Sequence, residues 1–131
     1  AESAKKYGAT ISDVISSTAS WSRLGYNLQD SKYLSDMTTL YQKVGDNMTQ
    51  ESASENLIST LQGFKLKAKD AGSIVDKFNE VSNTQPINTS QLGEALKRSA
   101  SSFNAAHTDL SSAIALITAT KQNWLNVQKC A

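Results

Sequence analysis

The chain has 131 residues, and its 13 Lys and Arg side chains nearly balance 12 Asp and Glu, which leaves a formal net charge of +1. This near-equal number of positive and negative charges does not favour nucleic acid or an anionic membrane as the partner. The length fits one domain. We expect residues 1–131 to form a single helical domain with its core at about 10–120, and with frayed or tail-like ends at 1–9 and 121–131.

The lone cysteine argues against a disulfide-stabilised protein, and the short apolar runs argue against a membrane-spanning protein. Cys130 has no second cysteine to pair with inside the chain, so nothing indicates a disulfide framework. The longest apolar run, Ala113–Ile117, is far shorter than the roughly 20 residues that span a bilayer. No apolar stretch follows Lys5 and Lys6, as a signal peptide would require. We expect no membrane segment and an intracellular origin.

The first two helices are predicted from polar caps followed by apolar spacing of three and four residues. Thr10 or Ser12 is the expected cap of the first, and Gly25 its stop. Asp30 or Ser31 is the expected cap of the second, and Gly45 its end. The predicted apolar side of the first helix consists of Ile11, Val14, Ile15, Ala19 and either Leu24 or Trp21.

The third and fourth helices carry the clearest pattern in the chain. Thr49 is the expected cap of a helix from Gln50 to about Leu66, and a connector then leads to Asp70, the expected cap of the next. Pro86 disfavours helix for the residue before it, so the fourth helix should end near Ser82. The predicted buried stripes are Ala53, Leu57, Leu61 and Phe64, then Ala71, Ile74 or Val75, Phe78 and Val81.

The last two helices complete an all-α prediction. Thr89 or Ser90 should cap the fifth, with Leu92, Leu96 and Phe103 on its apolar side, and Thr108–Asp109 should start the sixth. About six short helices joined by short loops predict a compact helical bundle. The helices look paired, but no fixed repeat period with shared residues is visible, so the sequence does not predict a solenoid.

No catalytic, cofactor or metal site is predicted. His107 is the lone histidine, and Asp109, Ser111 or Cys130 could be drawn around it in principle. A polar residue in the turn before the last helix is the simpler interpretation, because no nucleophile motif accompanies it. One His and one Cys do not make a typical zinc site. We therefore expect a protein that is not an enzyme, with no small-molecule substrate.

A partner-binding surface is the remaining interpretation of the large and basic side chains. Trp and Tyr are favoured as interface anchors, although most of those in this chain should be core. Lys65, Lys67 and Lys69 form a small basic cluster, for which a solvated surface is the simpler interpretation. The candidate partner-binding residues are Trp21, Tyr26, Tyr33, Lys65, Lys67, Lys69 and Trp124.

Several segments in a fixed order carry a family resemblance. Asn56–Phe64 (NLISTLQGF) and Ile74–Val81 (IVDKFNEV) are the main ones, with Trp21–Gly25 upstream and Glu94–Ala100 and Ile114–Thr120 downstream. Together they resemble the core region of phage tail tape measure proteins over roughly residues 5–120. After Thr120 the chain looks different from that family.

The resemblance implies a helical, non-catalytic protein of the virion tail that takes part in tail assembly, tail length and DNA ejection with other tail proteins as partners. The alternative hypothesis is a free-standing phage-derived inhibitor in the host cytoplasm that binds and blocks a host protein such as a defence nuclease. The length of the chain and its C-terminal segment motivate that alternative. Both hypotheses leave open whether the protein forms an oligomer.

Overall fold

A computed structural model describes residues 10–45, 48–85 and 87–130, with side chains described as far as residue 121. The described residues contain helices and no strand, which confirms the all-α prediction. The helices are α1 (Ile11–Arg23), α2 (Leu28–Val44), α3 (Gln50–Gly63), a 3-10 turn (Ala68–Asp70), α4 (Ala71–Thr84), α5 (Thr89–Ala105) and α6 (Leu110–Cys130).

Three of the predicted helix starts are confirmed by side-chain caps. Thr10 Oγ1 accepts from the Asp13 amide at 3.0 Å, and Thr49 Oγ1 accepts from the Ser52 amide at 3.0 Å. At the start of α6, Asp109 Oδ1 accepts from the Ser112 amide at 2.8 Å. Each bond satisfies an amide that has no partner within its own helix.

The predicted caps of α2 and α5 are wrong by a few residues. Asn27 caps α2 in place of Asp30 or Ser31, and Asn88 caps α5 in place of Thr89 or Ser90. The competing hydroxyls are bound elsewhere: Ser31 Oγ donates to the Tyr26 carbonyl, and Thr89 Oγ1 donates to the Val44 carbonyl.

The connection between α3 and α4 also differs from the prediction. α3 ends at Gly63, before the expected Leu66, and α4 continues to Thr84. Lys65 takes a left-handed backbone conformation with φ 54°, and the Leu66 amide then closes back onto the Leu61 carbonyl at 2.7 Å. Asp70 accepts from the Lys67 amide, so its carboxylate closes the 3-10 turn and does not cap α4.

The core lies where the stripes of α3 and α4 were predicted. Leu57, Leu61, Ile74 and Phe78 are fully or almost fully buried. The apolar side predicted for α1 is only partly right, since its buried residues are Ser17 and Trp21. Three members of the predicted stripe are exposed: Ile11 by 56%, Ile15 by 64% and Leu24 by 47%.

In chain order the six described helices fall into three successive pairs, α1–α2, α3–α4 and α5–α6. α1 packs on α2 and α5 on α6, whereas α3 packs mainly on α5 and α2, and α4 on α2 and α5. The N-caps of the first helix of each pair, Thr10, Thr49 and Asn88, are 39 residues apart. The sequence shows no repeat period with shared residues, and the structure adds a period of another kind. The period lies in helix placement and not in residue identity.

Two sets of equivalent helices, α3 with α5 and α2 with α4, run parallel. Along α3 and α5, Asn56 lies by Gly93, Gly63 by Ala100, and the Phe64 ring stacks on Phe103 with centroids 6.5 Å apart. Along α2 and α4, the Gly72 amide donates to Tyr33 Oη, and Tyr41 packs edge-on against Phe78. α3 and α5 pack tightly because glycine and alanine at the crossing let the two backbones approach.

Candidate functional surface

A buried polar cluster ties α2, α3 and α5 together at the centre of the stack. Tyr41 Oη donates to the Thr89 carbonyl at 3.0 Å and accepts from Asn56 Nδ2 at 3.4 Å. All three residues are fully buried. Gly93 lies directly over this cluster, and a Cβ at that position would collide with Tyr41 Oη.

The chemistry of this cluster indicates a structural role. Burial raises the pKa of Tyr41 well above its usual range, since the phenolate would lose its hydration. The phenol therefore stays protonated and keeps donating to the Thr89 carbonyl. Because no member of the cluster reaches solvent, its role is to hold three helices in register.

Two of the predicted partner-binding aromatics lie together in the α1–α2 pair. Trp21 is 1% exposed and its Nε1 donates to Thr38 Oγ1 at 3.2 Å. The half-buried Tyr26 packs edge-on against it, with centroids 5.7 Å apart. In this structure Trp21 therefore packs as a core residue and presents no surface to a partner.

The other predicted residues gather around the connection between α3 and α4. Lys65, Lys67 and Lys69 are all exposed, and the half-buried Tyr33 reaches the start of α4 through its bond from the Gly72 amide at 3.1 Å. Since the 3-10 turn also packs on α2, the four residues share one end of the middle pair. We call Tyr33 and these three lysines the basic edge. The predicted residue Trp124 has its side chain outside the described part.

Asp109 and Ser111, which the sequence offers as possible catalytic partners of His107, each form a hydrogen bond with another residue. His107 is exposed in the turn after α5, with φ 58°. Asp109 caps α6, and the hydrogen bond from the Ser112 amide lowers the pKa of its carboxyl. Ser111 Oγ accepts from Lys77 Nζ at 3.1 Å. The side chain of Cys130 lies outside the described part.

The described residues carry two apolar features that the sequence alone did not single out. One is the exposed pair Ile11 and Ile15 on α1, and the other is a groove of about 490 Å³ beside α5 and α6. The sequence signal was present, since both isoleucines belong to the predicted stripe of α1. What could not be seen was that no described residue covers this part of the stripe. The groove is lined by Ile87, Gln91, Ala95, Phe103, Leu116, Ile117, Thr120 and Lys121.

Two other kinds of site were searched for in the described part of the chain. No three His, Cys, Asp or Glu side chains there are grouped so that they could hold a metal ion. None of the helices described is long and apolar enough to cross a membrane.

Comparison with known protein families indicates the biological setting of these surfaces. The family model described as phage-related minor tail protein matches residues 1–126. The chain belongs to this family. Membership in the phage-related minor tail protein family supports a structural role in a phage tail and protein partners there. The match passes Thr120, where the resemblance was expected to end. No solved structure matches the chain.

Proposed function

We propose that this chain is a helical module of the tape measure type within the minor tail protein family, and that it makes protein contacts during tail assembly without catalysing a reaction. The observation that carries the proposal is the family match over residues 1–126. The segments that resemble tape measure proteins support it: Asn56–Phe64 lies along α3 and its C-cap, and Ile74–Val81 lies in α4. These two helices form the middle pair of the stack.

The geometry favours a contact role over a measuring role. An extended helix rises about 1.5 Å per residue, so a length ruler needs long unbroken helices. Here the longest helix, α6, has 21 residues and α1 has 13. Pairs of short helices stacked on one another reduce the distance that the folded chain spans, and they present surfaces to other proteins.

The basic edge is the surface we propose for a tail partner. Three exposed lysines within five residues attract an acidic surface. The turn that carries them is held by the Asp70 carboxylate, which accepts from the Lys67 amide, and by the Leu61 carbonyl, which accepts from the Leu66 amide. The expected partner is therefore an acidic face of another tail protein. The contact should weaken as salt is raised, because exposed charge pairs are screened.

Complementation tests this proposal. A phage lacking the gene is supplied with the wild-type protein, with a triple charge reversal (Lys65→Glu, Lys67→Glu, Lys69→Glu), or with the control Lys43→Glu on the exposed surface of α2. The wild type and the control should restore tails in electron micrographs, and the triple variant should not. Mass spectrometry of purified tails should detect the polypeptide.

Two results would contradict the proposal. The polypeptide could be missing from purified tails, or tails could assemble fully without the gene. If the protein is instead recovered from host cytosol on a host protein, the inhibitor hypothesis gains support in its place.

A further inference from the structure

The 39-residue spacing makes positions in successive pairs comparable. A residue of α1 corresponds to the residues 39 and 78 positions later, in α3 and α5, because the three N-caps Thr10, Thr49 and Asn88 keep that spacing. α4 and α6 share the spacing, since Asp70 and Asp109 immediately precede them. The environment of a residue in one pair can therefore be compared with that of its equivalent in the next.

The exposed isoleucines of α1 occupy positions that are buried in the third pair and half-buried in the middle pair, where Gln50 and Ser54 stand. Ile11 corresponds to Thr89, which is 0% exposed, and Ile15 corresponds to Gly93, which is also buried. Gly93 is covered by Tyr41 and Asn56, both from earlier pairs of the stack. In α1 the same face has no preceding pair to cover it in the described part of the chain, so two apolar side chains stay in water.

The groove beside α5 and α6 is the opposite face, at the other end of the described stack. It corresponds to the side of the middle pair on which the third pair packs. Asn56, Phe64 and Lys77 of the middle pair contact the third pair, through Gly93, Phe103 and Ser111. Their equivalents in the third pair are Ala95, Phe103 and Leu116, and all three line the open groove. Leu116 is 54% exposed. The position that α5 fills on the middle pair is thus open on the third.

We propose that the two open faces bind each other, so that α1 of one copy of this chain occupies the groove between α5 and α6 of a second copy. Helix α1 is the equivalent of α5, which fills the corresponding groove within the chain. Its Ile11 and Ile15 supply apolar surface for a groove lined by Phe103, Leu116 and Ile117.

Stacks of repeats normally end in pairs with a polar outer face, whereas both ends of the described stack carry exposed apolar side chains. A head-to-tail contact of unlike faces leaves one free face on each end of a dimer, so further copies can add in a row or close into a ring.

Two single variants of the full chain each block one face. Ile15→Glu places a charge on the α1 face, and Leu116→Glu places one in the groove; both positions are exposed, so the fold should survive, as circular dichroism can check. The control Gln62→Glu adds the same charge to the exposed surface of the middle pair. Sedimentation velocity should show the average mass of wild type and control rising with concentration, while each blocked variant stays at 14.1 kDa.

Mixing the two blocked variants decides between a head-to-tail contact and any other. The Ile15→Glu copy keeps an intact groove and the Leu116→Glu copy keeps an intact α1, so an equimolar mixture should form one-to-one dimers of twofold mass and nothing larger. A mixture that stays monomeric, a blocked variant that still associates, or a wild type that is monomeric at every concentration would each overturn the proposal.

Discussion

Tyr41 and Gly93 show how single residues set the packing at the centre of the molecule. The phenol is 0% exposed, yet it donates to one backbone carbonyl and accepts from one side-chain amide. Buried polar groups stabilise a fold only while such partners are present. The space for the phenol exists because position 93 has no side chain.

Replacing Gly93 with alanine should destabilise the protein. The added Cβ would collide with Tyr41 Oη and lie 2.7 Å from Asn56 Nδ2, and neither group can move without losing its hydrogen bond. We expect a loss of about 1–3 kcal/mol in the free energy of unfolding, measured by urea denaturation. Ser101→Ala, at an exposed position of the same helix, is the control and should cost nothing. Equal stability of Gly93→Ala and wild type would refute the proposed packing.

Stability should fall as the pH rises above about 10. The pKa of Tyr41 is raised in the folded state by burial, whereas in the unfolded chain it is about 10. Above that pH the unfolded state releases the proton and the folded state keeps it, so unfolding becomes more favourable. Urea denaturation at neutral pH and above pH 10 measures the change.

The variant Tyr41→Phe separates this effect from other titrations. It should lower the free energy of unfolding at neutral pH by about 1–3 kcal/mol, because buried partners are left without a hydrogen bond. It should also reduce the decline at high pH. Some decline should remain, because burial raises the pKa of Tyr26 as well. A decline as steep as in wild type would show that Tyr41 is not its main source.

At the scale of the helix, side-chain caps decide where each element begins. Asn88 accepts from the Gln91 amide at 2.8 Å, and Gln91 Oε1 accepts from the Asn88 amide in return at 3.2 Å. This reciprocal capping box satisfies two amides at the start of α5. The next two residues, Thr89 and Ser90, are equally good caps by composition but lie inside the helix.

Asn88→Ala should therefore cost about 1 kcal/mol of stability. Ser90→Ala is the matched control, two residues further along, and should have little effect because Ser90 is not the capping residue. Thermal and urea unfolding of the two variants measure the difference. If Ser90→Ala were the more damaging change, the assigned start of α5 would be wrong.

At the scale of the molecule, the helices in the middle of the stack have neighbours on both sides. α3 packs on α2 and α5, whereas α1 packs mainly on α2 and α6 mainly on α5. In a stack of repeats, stability depends on such neighbour contacts, and the ends open more readily than the middle.

Hydrogen exchange should follow this order. We expect the amides of α3 and α4 to exchange slowest and those of α1 and of the second half of α6 to exchange fastest, as mass spectrometry of peptic fragments can measure at low protein concentration. Dilute protein is needed because the proposed head-to-tail contact would protect the ends. Protection of α1 equal to that of α3 in a monomer would contradict the stacked arrangement.

Particular residues show how far the sequence could lead. Leu57, Leu61 and Phe78 were predicted as core because apolar spacing of three and four residues is a local property. The caps Asn27 and Asn88 were missed because several good capping residues stand close together, and burial of Ser31 and Thr89 decides among them. Of the candidate site, exposure of the three lysines follows from their charge, whereas the burial of Trp21 depends on Thr38, 17 residues away.

The sequence by itself determined the helical class, the number of helices in the described part of the chain and, through ordered segments confirmed at the level of the tail family, the biological setting. Only the tertiary structure decided that α3 lies parallel to α5 and α2 to α4 at a spacing of 39 residues, and that both ends of the described stack carry exposed apolar side chains. The reason is physical. Helix formation depends on neighbours within a few residues, whereas the repeat is defined by contacts across the stack, and chemically different residues such as Ile15, Ser54 and Gly93 can occupy equivalent positions there.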